Sequence, residues 1–176
     1  MSSLAFWKAV VEDGSNFLER VIRLLQERGI RYCVIGGVGV NAYAEPIVTQ
    51  DLDVVIATEQ IGTARALLER EFRVREFDHS FNVYDPGSKL QVQVQLDVPA
   101  DVVGRATVRE VMDLRLPVAE PGDLLRMKIE AATDTTRRGS KRAKDILDLA
   151  RLAMAFPELI DEIPGGLRAR VEEAMD

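Results

Sequence analysis

A pair of glycines followed by a pair of aspartates constrains this chain more than any other stretch of its sequence. The apolar run Tyr32–Ile35 predicts a short strand, and this strand stops at Gly36 and Gly37. A second predicted strand, rich in β-branched residues, carries Asp51 and Asp53. Because residues two apart on a strand point to the same face, the two carboxylates are expected side by side.

The chemistry of these four residues suggests a site for a metal–nucleotide complex. Two neighbouring carboxylates repel each other and stay ionised most easily when a cation lies between them. A glycine pair at a strand-to-helix turn lets backbone N–H groups approach a phosphate closely, with the positive end of a helix behind it. Gly36, Gly37, Asp51 and Asp53 are therefore the first candidate site residues.

The order and spacing of these motifs resemble those of the DNA polymerase β-like nucleotidyltransferases. The resemblance is carried by Val-Ile-Gly-Gly-Val-Gly-Val-Asn-Ala-Tyr, which starts at Val34, and by Thr-Gln-Asp-Leu-Asp-Val-Val-Ile, which starts at Thr49. Within that superfamily the chain is similar to the bacterial AbiEii-like branch. Family members often have an arginine just before the Thr-x-Asp, whereas this chain has Ile47 and Val48 there.

The resemblance implies a fold, a reaction and a set of cofactors. The implied fold belongs to the α+β class, with a mixed twisted sheet, helices on one face and a C-terminal helical segment. The implied reaction is the metal-dependent transfer of an NMP group from an NTP to an acceptor hydroxyl, with two bound Mg²⁺ or Mn²⁺ ions. Gly36, Gly37 and Thr49 would then belong to the nucleotide site, and Asp51 and Asp53 would bridge the ions.

The third carboxylate implied by the resemblance is Asp97. Residues 89–98 alternate with unusual regularity, so that Gln91, Gln93, Gln95 and Asp97 share one face. A sheet with one solvated face explains this alternation without any function. Because the superfamily draws its third carboxylate from a strand in this position, we expect Asp97 to complete the catalytic metal site.

The predicted helix over Leu124–Thr133 places Lys128 in the middle of its apolar arc. Either the ammonium group reaches out to solvent, or it points into the cleft at a phosphate or a base. The AbiEii-like family has a Lys-Leu-x-Ala motif here, which favours the second interpretation. The resembled family also carries a Lys-Asp-x-x-Asp-Leu arrangement further on, and this resemblance implies that Lys144 and Asp145 belong to the nucleotide site. Surface ion pairs would explain Asp145 and Asp148 without any function. The basic run over residues 137–144 is either solvated or holds phosphates or an RNA backbone.

Composition limits the classes of protein that fit. The chain of 176 residues is 47% hydrophobic and 30% charged, which is typical of one ordinary globular domain. Residues 1–120 are expected to form the core with N-terminal helices, one of them over residues 4–12, and residues 121–176 to form a helical segment packed on that core.

A net charge of −6 leaves any nucleic-acid contact to a local patch or to metal ions. The chain has one cysteine, Cys33, and one histidine, His79. It therefore lacks the ligands of the usual zinc sites, and it lacks residues or a supporting motif for a Cys-His or Ser-His-Asp catalytic set.

The sequence also leads to expectations about where the protein is located and what it binds. The N-terminus lacks the long apolar region of a secretory signal and no stretch is apolar enough to span a bilayer, so a cytoplasmic protein is expected. NTP is the expected substrate, and the acceptor is an RNA such as tRNA, a protein or a small molecule such as an aminoglycoside. Two other classes stay open. One is a nucleotidyltransferase-fold antitoxin or partner module, paired with a small helical protein in a toxin–antitoxin system, and the other is a nucleotide-binding regulator without turnover.

Overall fold

The computed structural model of the protein describes Ala5, Lys8 and residues 15–176. Apart from Ala5 and Lys8, the helix predicted over residues 4–12 lies outside this part of the chain. The described strands form one seven-stranded sheet. They are β1 (Tyr32–Ile35), β2 (Asp51–Ile56), β3 (Arg73–Phe77), β4 (Ser80–Tyr84), β5 (Gln91–Gln95), β6 (Thr107–Val111) and β7 (Leu114–Val118).

Parallel and antiparallel neighbours are mixed in this sheet, whose spatial order is β3-β4-β5-β2-β1-β7-β6. β2 runs parallel to β5 and antiparallel to β1, and β1 runs parallel to β7. The pairs β3–β4, β4–β5 and β6–β7 are antiparallel. The glycine turn after β1 therefore leads back to an adjacent central strand, β2, which carries Asp51 and Asp53.

Two of the helices in the described part of the chain cover one face of the sheet. The described helices are α1 (Phe17–Glu27), α2 (Gly36–Asn41), α3 (Ile61–Glu71), α4 (Asp101–Arg105), α5 (Pro121–Thr133), α6 (Gly139–Ala155) and α7 (Gly165–Glu173), with 3₁₀ turns at Thr58–Gln60 and Pro157–Glu162. Apolar side chains of α1 and α3, such as Leu25 and Leu68, share a buried cluster with Leu52, Val54 and Ile56. The alternate positions of β2 are apolar because they face these two helices.

The opposite face of the sheet is divided into two halves. Over β1 and β2, helices α5, α6 and α7 bury a second apolar cluster that includes Ile35 and Val55. Over β3, β4 and β5, the same face carries mainly polar side chains. Because β2 lies between β1 and β5, Asp51 and Asp53 stand at the border between the covered half and the polar half.

The predicted α+β class with a mixed sheet is confirmed. The segment 101–118, which the sequence left ambiguous, contains α4, β6 and β7. The C-terminal helical segment supplies the helices of the second face, and the division of the chain at residue 120 stays a prediction. Within the described residues, no helix is both long enough and apolar enough to cross a membrane.

Candidate active site

The turn after β1 brings the backbone of Gly36 against Asp53. Ile35 pairs with Asp53 across the two strands, and the chain then bends at Gly36 with a φ of +63°. This left-handed conformation favours glycine. A Cβ atom on residue 36 would overlap the Asp53 carboxylate, whose Cγ would be only 2.9 Å away. Both the backbone shape and the neighbouring carboxylate therefore require glycine at this position.

The second glycine, Gly37, faces two other polar residues. A Cβ atom on residue 37 would lie 3.9 Å from Thr49 Oγ1 and 4.0 Å from Asp148 Oδ2. Thr49 Oγ1 accepts a long hydrogen bond, 3.5 Å, from the backbone N–H of Asp51. The predicted glycine turn, threonine and aspartate pair therefore converge at one place.

The two aspartates of β2 have different surroundings. Asp51 Oδ1 accepts a hydrogen bond of 2.6 Å from Gln91 Nε2. Burial, followed by the negative charge of Asp51, raises the pKa of Asp53 to about 6, although nearby cations partly oppose this shift. A divalent cation bound by both carboxylates would favour the ionised form of Asp53 over the protonated form.

Three rows of side chains cross the polar half of this sheet face, from β3 to β2. Strand pairing sets the members of each row opposite one another. The rows are Arg73–Tyr84–Gln91–Asp51, Arg75–Asn82–Gln93–Asp53 and Phe77–Ser80–Gln95–Val55. We call the nine residues that β3, β4 and β5 contribute to these rows the amide face. A molecule that approaches Asp53 along the sheet would contact the amide face.

Asp97 does not join this arrangement, which corrects the prediction that it supplies the third carboxylate. β5 ends at Gln95, and the residue of β5 opposite Asp53 is Gln93. Residues 96–98 form a bend after the strand, so Asp97 lies beyond the last pair of β2 with β5, which is Val55 with Gln95. Its side chain is 65% exposed and pairs with His79. The alternating pattern identified the correct face, but the register between β2 and β5 decides which residue stands beside Asp53.

Lys128 lies between two carboxylates of α6. Its ammonium nitrogen lies 2.7 Å from Asp148 Oδ2 and 3.0 Å from Asp145 Oδ1, and 13% of the side chain is exposed. Burial alone would lower the pKa of Lys128, but the two aspartates outweigh burial and raise it. Arg137 Nε also contacts Asp145, at 2.8 Å from Oδ2. Lys128 is thus an ion-pair partner close to Gly37, and its contact with a phosphate stays a prediction, as does that of Asp145.

Arg151, which forms a buried ion pair within α6, also joins that helix to the end of α2 and the loop that follows it. Arg151 NH1 lies 2.7 Å from Asp148 Oδ1, and Arg151 NH2 donates a hydrogen bond of 2.6 Å to Asn41 Oδ1. Arg151 Nε donates to the carbonyl oxygen of Glu45 at 3.1 Å. The Asn41 side chain in turn accepts from the N–H of Ile47 and donates to its carbonyl oxygen, at 3.1 and 2.8 Å. Helix α6 thereby holds the loop that leads to the aspartate pair.

Positive charge faces the aspartate pair from the start of α6 and the loop before it. Arg137 and Lys141 each lower the pKa of Asp53, as does the buried Lys128. An anionic triphosphate placed beside Asp53 would meet these cations. Lys144, the other lysine predicted to bind nucleotide, is exposed further along α6, and its role stays a prediction.

The cysteine and the histidine do not contribute a nucleophile to this site. Burial, with a contribution from the charge of Asp123, raises the pKa of Cys33 to about 12, so its thiol stays protonated at neutral pH. His79 is 75% exposed and contacts Asp97.

Sequence reasoning missed several residues that the structure brings to the site. Gln91 and Gln93 were recognised only as members of a polar face, because their rows depend on strand register. No local signal marks Asn82, which reaches its row through the pairing of β4 with β5. Arg151 had a usable signal, since it follows Asp148 at helical spacing on α6.

The carboxylates present suit one divalent cation better than two. In the part of the chain that the structure describes, no three His, Cys, Asp or Glu side chains are grouped so that they could hold a metal ion. Mg²⁺ is commonly bound through one or two carboxylates together with substrate phosphates, and Asp51 and Asp53 supply that number. The residue beside Asp53 on β5 is Gln93, whose neutral amide adds no third carboxylate to the pair. The residues therefore fit one cation bound with a triphosphate.

Solved structures share this fold at low sequence identity. The crystal structure of ANT(2'')-Ia in complex with adenylyl-2''-tobramycin matches with a TM-score of 0.64 and 14% identity over 91% of this chain and 97% of that one. The solution structure of the antibiotic-resistance factor ANT(2'')-Ia gives a TM-score of 0.60 at 13% identity, over 90% of each chain. The lincosamide antibiotic adenylyltransferase LnuA with bound lincomycin gives 0.54 at 11% identity, over 80% of this chain and 98% of that one.

These matches show that the chain has a nucleotidyltransferase-like fold. No protein-family model matches the chain, and no curated protein matches its sequence. The similarity to the AbiEii-like branch therefore stays a prediction.

Proposed function

We propose that this chain binds a nucleoside triphosphate together with a divalent cation and transfers the nucleotidyl group to an acceptor hydroxyl. The observation that carries the proposal is the contact of the Gly36 turn with Asp53, beside Asp51, at the border of a polar sheet face. Asp51 and Asp53 would hold the cation, and backbone N–H groups of the glycine turn would approach the β- and γ-phosphates. The nucleotidyltransferase-like fold supports this assignment.

In the proposed reaction the acceptor oxygen bonds to the α-phosphorus while the bond from that phosphorus to the pyrophosphate oxygen breaks. When bound, the cation would neutralise charge on the phosphates. Arg137 and Lys141 would offset charge on the leaving pyrophosphate, because both are near enough to Asp53 to lower its pKa. Since the residue beside Asp53 on β5 is the neutral Gln93, the proton of the hydroxyl would pass to Asp53 or to solvent.

A second candidate function is nucleotide binding without turnover, and one observation favours it. Gln93 cannot accept a proton in the way that a carboxylate can, and it stands directly opposite Asp53. A site of this kind would retain its affinity for the nucleotide–cation complex while transferring the nucleotidyl group slowly or not at all.

Several finer expectations remain proposals on the strength of the resemblance alone. They are the toxin–antitoxin context, an RNA acceptor and a small helical partner protein. A cytoplasmic location, expected from the sequence, is also a proposal. The solved structures with adenylyl-2''-tobramycin and with lincomycin support a small organic molecule as one class of acceptor for this chain.

Two measurements test the proposed function. The first is the thermal shift that each NTP with Mg²⁺ produces in wild type, Asp53→Asn and Asp97→Asn. We expect a shift in wild type and in Asp97→Asn, whose carboxylate lies away from the pair, and none in Asp53→Asn.

The second measurement follows transfer of label from each [α-³²P]NTP to a cell extract. Labelling by wild type and Asp97→Asn but not by Asp53→Asn supports nucleotidyl transfer. A thermal shift without labelling of any species supports the second candidate, and equal labelling by wild type and Asp53→Asn contradicts the first.

A further inference from the structure

Gln91 connects the aspartate pair to the buried part of the amide face. Its Nε2 donates a hydrogen bond of 2.6 Å to Asp51 Oδ1, across the pairing of β5 with β2. Its Oε1 accepts a hydrogen bond of 3.3 Å from Nδ2 of Asn82 on β4. Both ends of the Gln91 amide are therefore engaged, and the carboxylate of Asp51 receives the donor end.

Asn82 determines which end of the Gln91 amide faces Asp51. An amide donates through its nitrogen and accepts through its oxygen. Because Asn82 presents its nitrogen to Gln91, the oxygen of Gln91 turns towards Asn82 and the nitrogen towards Asp51. If Asn82 presented an acceptor instead, Gln91 would have to turn its nitrogen towards Asn82 and its oxygen towards the carboxylate, which repels it.

The amide of Asn82 is kept at this position at a cost in stability. Asn82 is 7% exposed, and its Oδ1 has no hydrogen-bond partner among the residues that the structure describes. Its Nδ2 also donates to Tyr84 OH at 3.2 Å. An apolar side chain of similar size would leave no buried acceptor unpaired, but it would give Gln91 no donor. The hydrogen bond to Gln91 is thus what an asparagine contributes here.

The next glutamine along β5 is turned differently. Gln93 stands opposite Asp53, but its Nε2 donates to Ser80 Oγ of β4, at 3.4 Å. Asp51 therefore receives an amide donor from β5, whereas the amide nitrogen opposite Asp53 is directed away from the pair. The structure holds the orientation of Asp51 through a hydrogen bond of its own.

Divalent cations differ in how strictly they require oriented ligands. Mg²⁺ requires near-ideal octahedral geometry at about 2.0–2.1 Å, whereas Ca²⁺ accepts six to eight oxygens in flexible arrangements at about 2.3–2.6 Å. A carboxylate that is held in one orientation therefore matters more for Mg²⁺ than for Ca²⁺. Because the two ions carry the same charge, a change in charge near the site affects both alike.

We propose that Gln91 is a positioning residue that holds Asp51 in the orientation that favours Mg²⁺ over Ca²⁺, and that Asn82 sets the direction of the Gln91 amide. This inference rests on the proposed function, because it concerns the cation of the nucleotide complex. Gln91 and Asn82 act on the cation through Asp51.

The test compares wild type with Gln91→Met, which keeps the length of the side chain and removes both hydrogen bonds. Electron paramagnetic resonance of free Mn²⁺ follows its displacement from the full chain by Mg²⁺ alone and by Ca²⁺ alone. We expect the dissociation constant of Mg²⁺ to rise about tenfold and that of Ca²⁺ by no more than about twofold. A merely structural loss would weaken both cations by the same factor, so an unchanged ratio of the two constants overturns the inference.

Asn82→Asp tests the direction of the Gln91 amide, because it replaces the donor with a second acceptor and hardly changes the size. Its added charge acts on both cations and cancels in the ratio of their dissociation constants. We expect this ratio to move away from Mg²⁺ by roughly threefold, and Asn82→Leu, which removes the donor without adding charge, should move it the same way. A ratio that neither variant changes overturns the role of Asn82.

Gln95→Met is the matched control, since it makes the same change on the same strand and face but opposite Val55. It should leave the ratio unchanged, and an effect equal to that of Gln91→Met overturns the inference. Failure of wild type to bind Mn²⁺ contradicts the proposed cation site as well. Binding of Mn²⁺ and of NTP, together with an unchanged ratio in Gln91→Met, contradicts this inference alone.

Discussion

Gly36 and Asp53 are in contact so closely that the carboxylate occupies the space a side chain on residue 36 would need. The contact joins the turn expected to meet phosphates to one of the two carboxylates expected to meet the cation. Both halves of the proposed nucleotide site therefore depend on the same few atoms.

Gly36→Ala should destabilise the protein and abolish binding of NTP with Mg²⁺. The substituted residue would have to keep a φ of +63° and its Cβ would displace Asp53. Left-handed backbone costs about 1–2 kcal/mol for a residue with a side chain, and the overlap adds to that cost. Urea unfolding and nucleotide titration by calorimetry measure the two effects.

Two other glycines serve as controls for this prediction. Gly29 has the same φ of +63° but nothing within 4 Å of the Cβ position, so Gly29→Ala isolates the backbone cost and should keep nucleotide binding. Gly62 lies in α3 with open space around it, and Gly62→Ala should stabilise the protein by about 0.5–1 kcal/mol. If Gly29→Ala and Gly36→Ala behaved alike in both assays, the contact with Asp53 would be unimportant.

Asp53→Asn should stabilise the cation-free protein at pH 8 but not at pH 4. Burial and the charge of Asp51 raise the pKa of Asp53 from 3.8 to about 6 in the folded protein. Because the folded protein holds the Asp53 proton more tightly than the unfolded chain does, protonation of Asp53 stabilises the fold. This stabilisation is fully present below pH 3.8 and is lost as the pH rises through 6. At pH 8 this lowers the free energy of unfolding of wild type by up to about 3 kcal/mol. Asparagine at residue 53 does not ionise, so the variant keeps this stability.

Urea unfolding in the presence of a chelator at both pH values measures this difference. Added Mg²⁺ with NTP should reduce it, because bound cation favours the ionised form of Asp53. A stability difference between Asp53→Asn and wild type that is the same at pH 4 and pH 8 would contradict the assigned origin of the shift.

Lys128→Met should lower the free energy of unfolding by roughly 3–5 kcal/mol, because it leaves two buried carboxylates without their shared cation. Asp145 and Asp148 are 1% and 4% exposed, so water cannot replace the ammonium group easily. The control is Arg168→Ala, which removes exposed ion pairs with Asp161 and Glu172 and should cost less than about 1 kcal/mol. Similar losses in the two variants, measured by urea unfolding at pH 7, would mean that the Lys128 pairs are not effectively buried.

Gln93→Asp should strengthen binding of Mn²⁺, with a decrease in dissociation constant of roughly tenfold, because it adds a third carboxylate to the site. The residue lies directly opposite Asp53 on the neighbouring strand. Electron paramagnetic resonance of free Mn²⁺ gives the affinity and the number of bound ions.

Gln95→Asp is the matched control, since the residue is on the same strand and face but opposite Val55. It adds the same charge about 6.6 Å further along the strand and should change the affinity by no more than about twofold. Equal effects of the two substitutions would mean that added charge alone, rather than its place in the row, determines affinity.

The glycine turn and the aspartate pair could be predicted because both are local patterns. Alternation along Asp51–Ile56 fixes which side chains share a face, and the glycines mark where the preceding strand must end. The same reasoning gave the correct face for Gln91, Gln93 and Gln95. It could not predict which of these glutamines stands opposite Asp53, because the register of β5 against β2 is set by pairing between segments far apart in sequence.

The partner of Lys128 was beyond local reasoning for a similar reason. Helical periodicity placed this lysine in the apolar arc of α5, where it is 13% exposed. Its partners belong to α6, and only the packing of α5 on α6 brings Asp145 and Asp148 to the ammonium group. The sequence identified the three residues separately, but it had no means of predicting that they meet.

The bonds from Arg151 to Asn41 and to the Glu45 carbonyl bear on how this chain can be divided. A fragment that ended at residue 120 would contain both aspartates and both glycines, yet the segment between them would have lost its anchor. The final third of the molecule is therefore part of the scaffold of the proposed nucleotide site, and neither piece alone should be expected to bind a nucleotide.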